Sequence, residues 1–264
     1  MFLRLVFALL TLLSVSAADS FDKPRFKKTV DLGPSRSRTK SHAKVNCYFF
    51  ASFMVKEIDL GEKGADRLSI VPLPRETLPR CTRAKAWNEV VINPNEWTGY
   101  FKGVKSELVF FDADDGWNGG MGFAVYDRRS GKKIFEDSAV GELEFLPVQG
   151  HEVSLKYTRI IDGQCILPQD SAACWAQIHK TTGLESASMP DCQKGYEQSA
   201  QNLAKGRCQA QNSDTPKCFD REIQLARDQT KGANSVIAYP VEVTLGSKPE
   251  IKPVAGELQC WPAD

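Results

Sequence analysis

The sequence predicts an α+β fold, mainly β: an antiparallel β-sandwich or open barrel that carries a disulfide-stapled helical insertion. Three observations predict it. Apolar and polar residues alternate through much of the stretch from 45 to 161 and again from 237 to 245, the period of strands with one buried face. From about 165 to 232 the apolar spacing lengthens to three and four, between residues that cap helices. Eight cysteines are spread along the chain with no Cys-x-x-Cys pair, the usage of disulfides rather than of a zinc ribbon or a thioredoxin-like redox site.

The elements follow in order. Val45, Cys47, Phe49, Ala51, Phe53 and Val55 recur at every second position and predict one strand. Further strands are expected over 67–73, 86–92, 107–112, 122–127, 133–137, 142–147 and 152–161. Asp115-Gly116-Trp117-Asn118-Gly119-Gly120 offers several residues tolerant of positive φ. Arg128 to Gly131 and Asp137 to Gly141 supply two more turns, so 107–147 reads as a four-strand meander. A propeller blade has the same pattern, but the segment has no second copy. Asp170 caps a first helix through Lys180, with Gly183 past its end. Ser188 with Pro190 opens a second helix carrying Tyr196, Ala200, Leu203 and Arg207, weakened at Gly195. Thr215-Pro216 starts a third that stops at Lys231-Gly232. The last strand spans 237–245, and Pro240, lacking a donor, predicts an edge or a bulge. A proline-rich tail ends the chain.

Geometry constrains the cysteines. An antiparallel hairpin of the second and third helices brings Cys208 beside Cys218. Cys47 and Cys81 stand alone in the first β half and are expected to pair. A bond from Cys192 to Cys208 conflicts with a continuous helix, whose rise of about 1.5 Å per residue separates them too far.

The first residues read as a secretory signal peptide over 1–18: Arg4, the apolar run Leu5 to Leu13, then Ser14, Ser16, Ala17 and Ala18. The run is too short for a membrane span. Export to the periplasm or the extracellular space fits the cysteines, because disulfides persist in oxidising compartments. Lys and Arg number 34 against 33 Asp and Glu, and Arg4 is the only charge in the leader, so the exported chain is formally neutral. Net charge therefore gives no pull toward nucleic acid. No Asn-x-Ser/Thr sequon is present. Residues 19–44 concentrate Lys23, Arg25, Lys27, Lys28, Arg36, Arg38, Lys40 and Lys44. They read as a flexible basic tail, with polyanion binding as its functional alternative, ahead of one domain over 45–264.

Catalytic signatures are absent. The three histidines, His42, His151 and His179, form no metalloprotease pair, and there is no Gly-x-Ser-x-Gly elbow, P-loop or dinucleotide fingerprint. The densest polar cluster is the hairpin at 111–120. Asp112, Asp114, Asp115 and Asn118 offer the hard oxygens that calcium prefers, although Gly116 occupies the third ligand place of an EF-hand. Asp, Asn and Gly also serve ordinary turns, and Trp117 gives the tip an aromatic plate for a sugar or a partner. Trp87, Trp97, Trp175 and Trp261 read as packing residues. Asp114 with Glu136 or Glu144 is the carboxylate pair a glycosidase would need. The expectation is a non-enzymatic binding or interaction protein without a cofactor, apart from the calcium candidate. The alternative is a secreted carboxylate-dependent hydrolase, stabilised by calcium.

Overall fold

The alternating segments pair into two antiparallel sheets. The computed structural model describes residues 20–36, 41–73, 79–147, 152–184, 188–213 and 215–263; the expected leader, residues 1–18, lies outside them. In chain order the elements are β1 (Phe26–Pro34), β2 (His42–Phe49), β3 (Phe53–Asp59), β4 (Arg67–Pro72), β5 (Val90–Val91), β6 (Gly99–Lys105), β7 (Leu108–Trp117), β8 (Gly120–Asp127), β9 (Lys133–Phe145) and β10 (Val153–Asp162). They continue with α1 (Ser171–Thr182), α2 (Cys192–Ala210), α3 (Pro216–Lys231), β11 (Ser235–Leu245), β12 (Glu250–Pro253) and β13 (Gln259–Pro262). The first sheet runs β1 to β5 in sequence; the second runs β12-β11-β10-β9-β8-β7-β6, with β13 also on β11. The fold is therefore α+β and mainly β, and the three helices interrupt the second sheet between β10 and β11.

Several expectations change. The alternation from Val45 to Val55 spans two strands: Phe49 pairs with Met54, so the odd positions change face across the turn at Phe50-Ala51-Ser52, and the period runs on unbroken because β3 is buried on both faces and the turn carries no glycine or proline to mark it. The strand expected over 86–92 shrinks to Val90–Val91. Gly141, at φ +77°, marks a bulge and not a hairpin, so 133–145 is one long strand. The meander is consequently part of a longer one. Pro240 lies in a central strand, opposite Thr158 of β10. Its missing donor costs nothing because β12 pairs with 241–244 and β13 with 235–238, leaving a gap at Pro240.

The basic tail is also corrected. Phe26–Pro34 pairs with β2 along its length. A strand at a sheet edge satisfies its backbone on one side and can leave its Lys side chains in water, so a composition averaged over the segment misses it. Upstream, the Phe21 ring packs edge-on against Phe110 and Phe145, with centroids 5.3 and 4.8 Å away. Asp22 N donates to Val104 O at 2.7 Å.

The second sheet buries both faces. Val104, Val109, Phe111, Ala124 and Tyr126 meet Phe53, Val55, Leu68 and Ile70 of the first sheet. On the opposite face Phe110, Phe123, Phe135, Leu155, Tyr239 and Val241 cluster with Ile178 of α1 and Tyr196 of α2. The sheet coils far enough that Leu108 of β7 and Leu245 of β11 line one cavity.

The exposed edge of β6 is sealed. Its Phe101 N donates to the buried Glu57 carboxylate of β3 at 2.8 Å, and Gly99 O accepts from Ala65 N at 2.8 Å. Glu57 also accepts from Asn46 Nδ2 at 2.7 Å, so one carboxylate ties both sheets. Half-buried between them, with Glu57 nearby, the Tyr48 phenol is pushed up to about 12, mainly by its loss of water.

The outer face of the first sheet is covered by residues 79–89. Cys81 is bonded to Cys47, and Lys56 Nζ reaches Glu89 Oε2 at 2.5 Å and Ala84 O at 2.9 Å, with both charged side chains buried. Burial opposes the Glu89 charge, but the Lys56 ammonium and the Ala86 N–H together hold its carboxyl below its ordinary value.

The helices follow their caps. Asp170 accepts from Ala173 N, Asp191 from Gln193 N and Thr215 from Cys218 N; Asp191 thus takes the capping role expected of Ser188. Cys208 is bonded to Cys218, Cys165 to Cys174, and Cys192 to Cys260. Gly195 is explained by the last bond. A Cβ there would lie 1.8 Å from Cys260 O, where α2 presses on β13.

Two stability tests follow. Gly206, also in α2, faces open space; Gly206→Ala should stabilise by about 1 kcal/mol, whereas Gly195→Ala should destabilise by about 1–3 kcal/mol through overpacking. Urea midpoints of the two variants separate the effects. Lys56→Met should cost about 3–5 kcal/mol by leaving Glu89 buried and unpaired. Because the Glu89 pKa is depressed, the pair stabilises fully above the unfolded carboxylate range and its contribution is lost as pH falls through the lowered folded value. The gap between wild type and Lys56→Met in urea should therefore narrow in acid.

Candidate functional site

An open groove of about 380 Å³ lies where the first sheet stops covering the second. Its lining is Trp97, Ala113, Asp115, Trp117, Gly122, Glu136, Asp137 and Ser138. Register explains the composition. Gly122 pairs with Ser138 across β8 and β9. A Cβ on Gly122 would stand 3.3 Å from Ala113 Cβ and 3.6 Å from Trp97 Cη2. Three small residues on three neighbouring strands thus form a floor on which the Trp97 ring rests. Trp97 Nε1 is buried with no hydrogen-bond partner among the described residues.

Trp117 stands at the other wall and is 46% exposed. Its position depends on the two-residue turn Asn118-Gly119, with φ of 49° and 81°, the left-handed pair that joins twisted strands. The tip is held from outside: Trp261 Nε1 of β13 donates to Asn118 O at 3.1 Å.

Each end of the groove carries an ion pair. Lys63, from the loop after β3, binds Asp115. The Lys63 hydrogen bond and charge hold the exposed Asp115 carboxyl below its usual value. Lys133 Nζ lies 2.5 Å from Glu136 Oε2 and 3.1 Å from Glu96 O, next to Trp97. A ligand here meets carboxylate acceptors and ammonium donors side by side, between aromatic walls.

Beneath the groove, on the other face of β9, Asp137 enters a buried network. Tyr157 OH donates to it at 2.5 Å, Arg159 Nε lies 2.8 Å away, and Arg159 also donates to Tyr239 OH at 3.2 Å. Burial, reinforced by the Asp137 charge, drives the Tyr157 phenol far above its ordinary range. Burial likewise raises Tyr239. The network is a fully engaged brace for β9, β10 and β11.

The four calcium candidates are not gathered. Asp112 pairs with Lys102 at 2.7 Å and Asp115 with Lys63. Asp114 packs against Gly64 of the loop after β3, and Asn118 sits buried in the turn. Among the described residues no group of three or more His, Cys, Asp or Glu side chains could hold a metal ion. The carboxylate pairs are also rearranged: Glu136 shares the groove with Asp115 and not with Asp114, while Glu144 lies on β9 opposite Lys156, away from it. Sequence reading placed Trp97 in the core and passed over Lys63 and Ser138. No local pattern marks them, because four separate segments contribute.

Comparison with protein-family models, curated proteins and solved structures finds no match. No described helix is long and apolar enough to cross a membrane.

Calcium added in excess and then chelated should leave the thermal midpoint unmoved, because Asp112 and Asp115 are engaged by separate lysines and the four candidates do not converge; differential scanning calorimetry reads this directly.

Proposed function

We propose that this chain is an exported, non-enzymatic binding protein that holds a polyhydroxylated ligand, of the glycan class, in the groove between Trp97 and Trp117. The observation that carries the reading is the half-exposed Trp117 facing a floor of Ala113, Gly122 and Ser138, with an ion pair at either end. Flat aromatic faces and a shallow floor suit a sugar ring, whose C–H surface stacks on indole while its hydroxyls bridge carboxylate and ammonium. Four disulfides agree with folding in an oxidising compartment, and export through a cleaved leader accounts for them.

The hydrolase reading has less support. A glycosidase needs one carboxylic acid that stays protonated near neutral pH. Lys63 favours the charged form of Asp115, the opposite of what that acid requires.

A panel of oligosaccharides screened by thermal shift and then by calorimetry tests the proposal. At least one glycan should raise the midpoint, and Trp117→Ala should weaken its binding about tenfold or more without changing the midpoint of the free protein. A panel with no ligand, or turnover abolished by Glu136→Gln, would remove the binding reading.

A further inference from the structure

We propose that the outer face of the first sheet is a peripheral docking surface for an anionic lipid bilayer, with Trp87 as the inserted anchor. Trp87 is 93% exposed, far more than any other large apolar residue described. The exposure is not a loose end. The loop that presents Trp87 is fastened on both sides, by the Cys47–Cys81 bond before it and by the buried Lys56–Glu89 pair after it. Ala86 N donates to Glu89 Oε2 at 2.7 Å and Asn88 Nδ2 to Pro72 O at 3.0 Å, so both neighbours of Trp87 are tied down. The fold thus spends a disulfide and a buried ion pair on a loop whose apex is an indole in water.

The surroundings fit one kind of partner. Phe26 and Leu32 of β1 are also exposed, at 42% and 38%. Phe26 stacks on Phe49, whose side chain belongs to the cluster beneath this loop, which puts Phe26 on the same face as Cys81. Leu32 lines a cavity with Arg36 and Arg83, and among the described residues Glu62 is the one acid lining it. Residues 79–88 hold Arg80, Arg83 and Lys85 and no acid. Arg36, Arg80, Arg83 and Lys85 take part in no ion pair among the described residues. An indole flanked by unpaired cations is the composition of a membrane-interface contact: the ring sits at headgroup depth and the cations meet lipid phosphates. A soluble polyanion would use the cations but leaves the exposed aromatic residues unexplained.

The test is co-sedimentation of the full chain with vesicles of phosphatidylglycerol and phosphatidylcholine, beside pure phosphatidylcholine vesicles and a heparin column. Wild type and variants are compared in the same form, so that a contribution from residues 1–18 cancels. Binding to the anionic vesicles is expected to exceed binding to neutral ones. It should fall about tenfold in Trp87→Ala and about fivefold for each of Arg83→Gln and Lys85→Gln. The exposed positions leave the far-ultraviolet circular dichroism and the thermal midpoint unchanged. Equal binding by Trp87→Ala and wild type overturns the proposal. So does failure to sediment with anionic vesicles, and so does retention on heparin without vesicle binding, which identifies a polyanion surface. The glycan groove lies on other strands, so its variants leave vesicle binding intact.

Discussion

The second sheet must keep water from both of its faces at once. Phe110 and Phe111 are adjacent, point to opposite sides and are both fully buried. One sheet alone cannot satisfy that demand. The first sheet covers the Phe111 side; on the Phe110 side the second sheet coils onto itself, and Phe21, α1 and the start of α2 fill what remains. Much else follows from this division. The segment after residue 19 is drawn into the fold because the coil needs Phe21. The ring lies so close to Gly103 that a Cβ there would approach it to 2.5 Å.

The groove arises where the cover ends. Val109, Phe111, Ala124 and Tyr126 lie under the first sheet; Ala113, Gly122 and Ser138 continue the same face beyond it. Small residues there leave a depression, and the loop after β3 brings Lys63 to its rim. The helical insertion contributes indirectly. Cys192 at the start of α2 is bonded to Cys260, whose neighbour Trp261 holds Asn118 at the hairpin tip beside Trp117. A chain of short covalent and hydrogen-bonded steps therefore runs from the insertion to the groove wall.

Period and caps made much of this legible. Helix ends, the 107–127 hairpin and the β10–β11 alternation are local properties, and local chemistry predicts them. What escaped was long-range. β1 reads as solvated because most of its side chains are exposed; its backbone pairs with β2 along its length, and only a few side chains, such as Phe26 on Phe49 and Thr29 on Asn46, are engaged. β6 escapes because Lys102, Gly103 and Lys105 interrupt its apolar pattern, each for a reason supplied by another segment: Asp112, Phe21 and Ser20 O respectively. The groove is the extreme case. Trp97 and Trp117 are twenty residues apart, Glu136 a similar distance beyond, and Lys63 belongs to the other sheet. The Asp-rich run at 112–115 drew the eye to calcium because it is contiguous, yet strand alternation and a bulge send neighbouring carboxylates to different lysines.

The buried Lys56–Glu89 pair shows how such long-range demands shape the first sheet. Replacing a buried ion pair by apolar residues of similar volume is often neutral or stabilising, so the pair is a weak source of stability. It is a strong source of placement. Lys56 lies between Met54 and Ile58 on the outer face of β3, opposite Ser69 and Cys47, where an aliphatic side chain would leave residues 84–89 unattached. An ammonium instead demands ligands, and the geometry supplies Ala84 O and Glu89 from the covering loop. Glu89 in turn fixes Ala86 N. The charge thus converts a flat apolar surface into one that accepts a single loop conformation, and the indole at its apex keeps one orientation. With the disulfide at Cys81 limiting the other end, the loop has little freedom left to turn Trp87 inward over Ala86 and Val71.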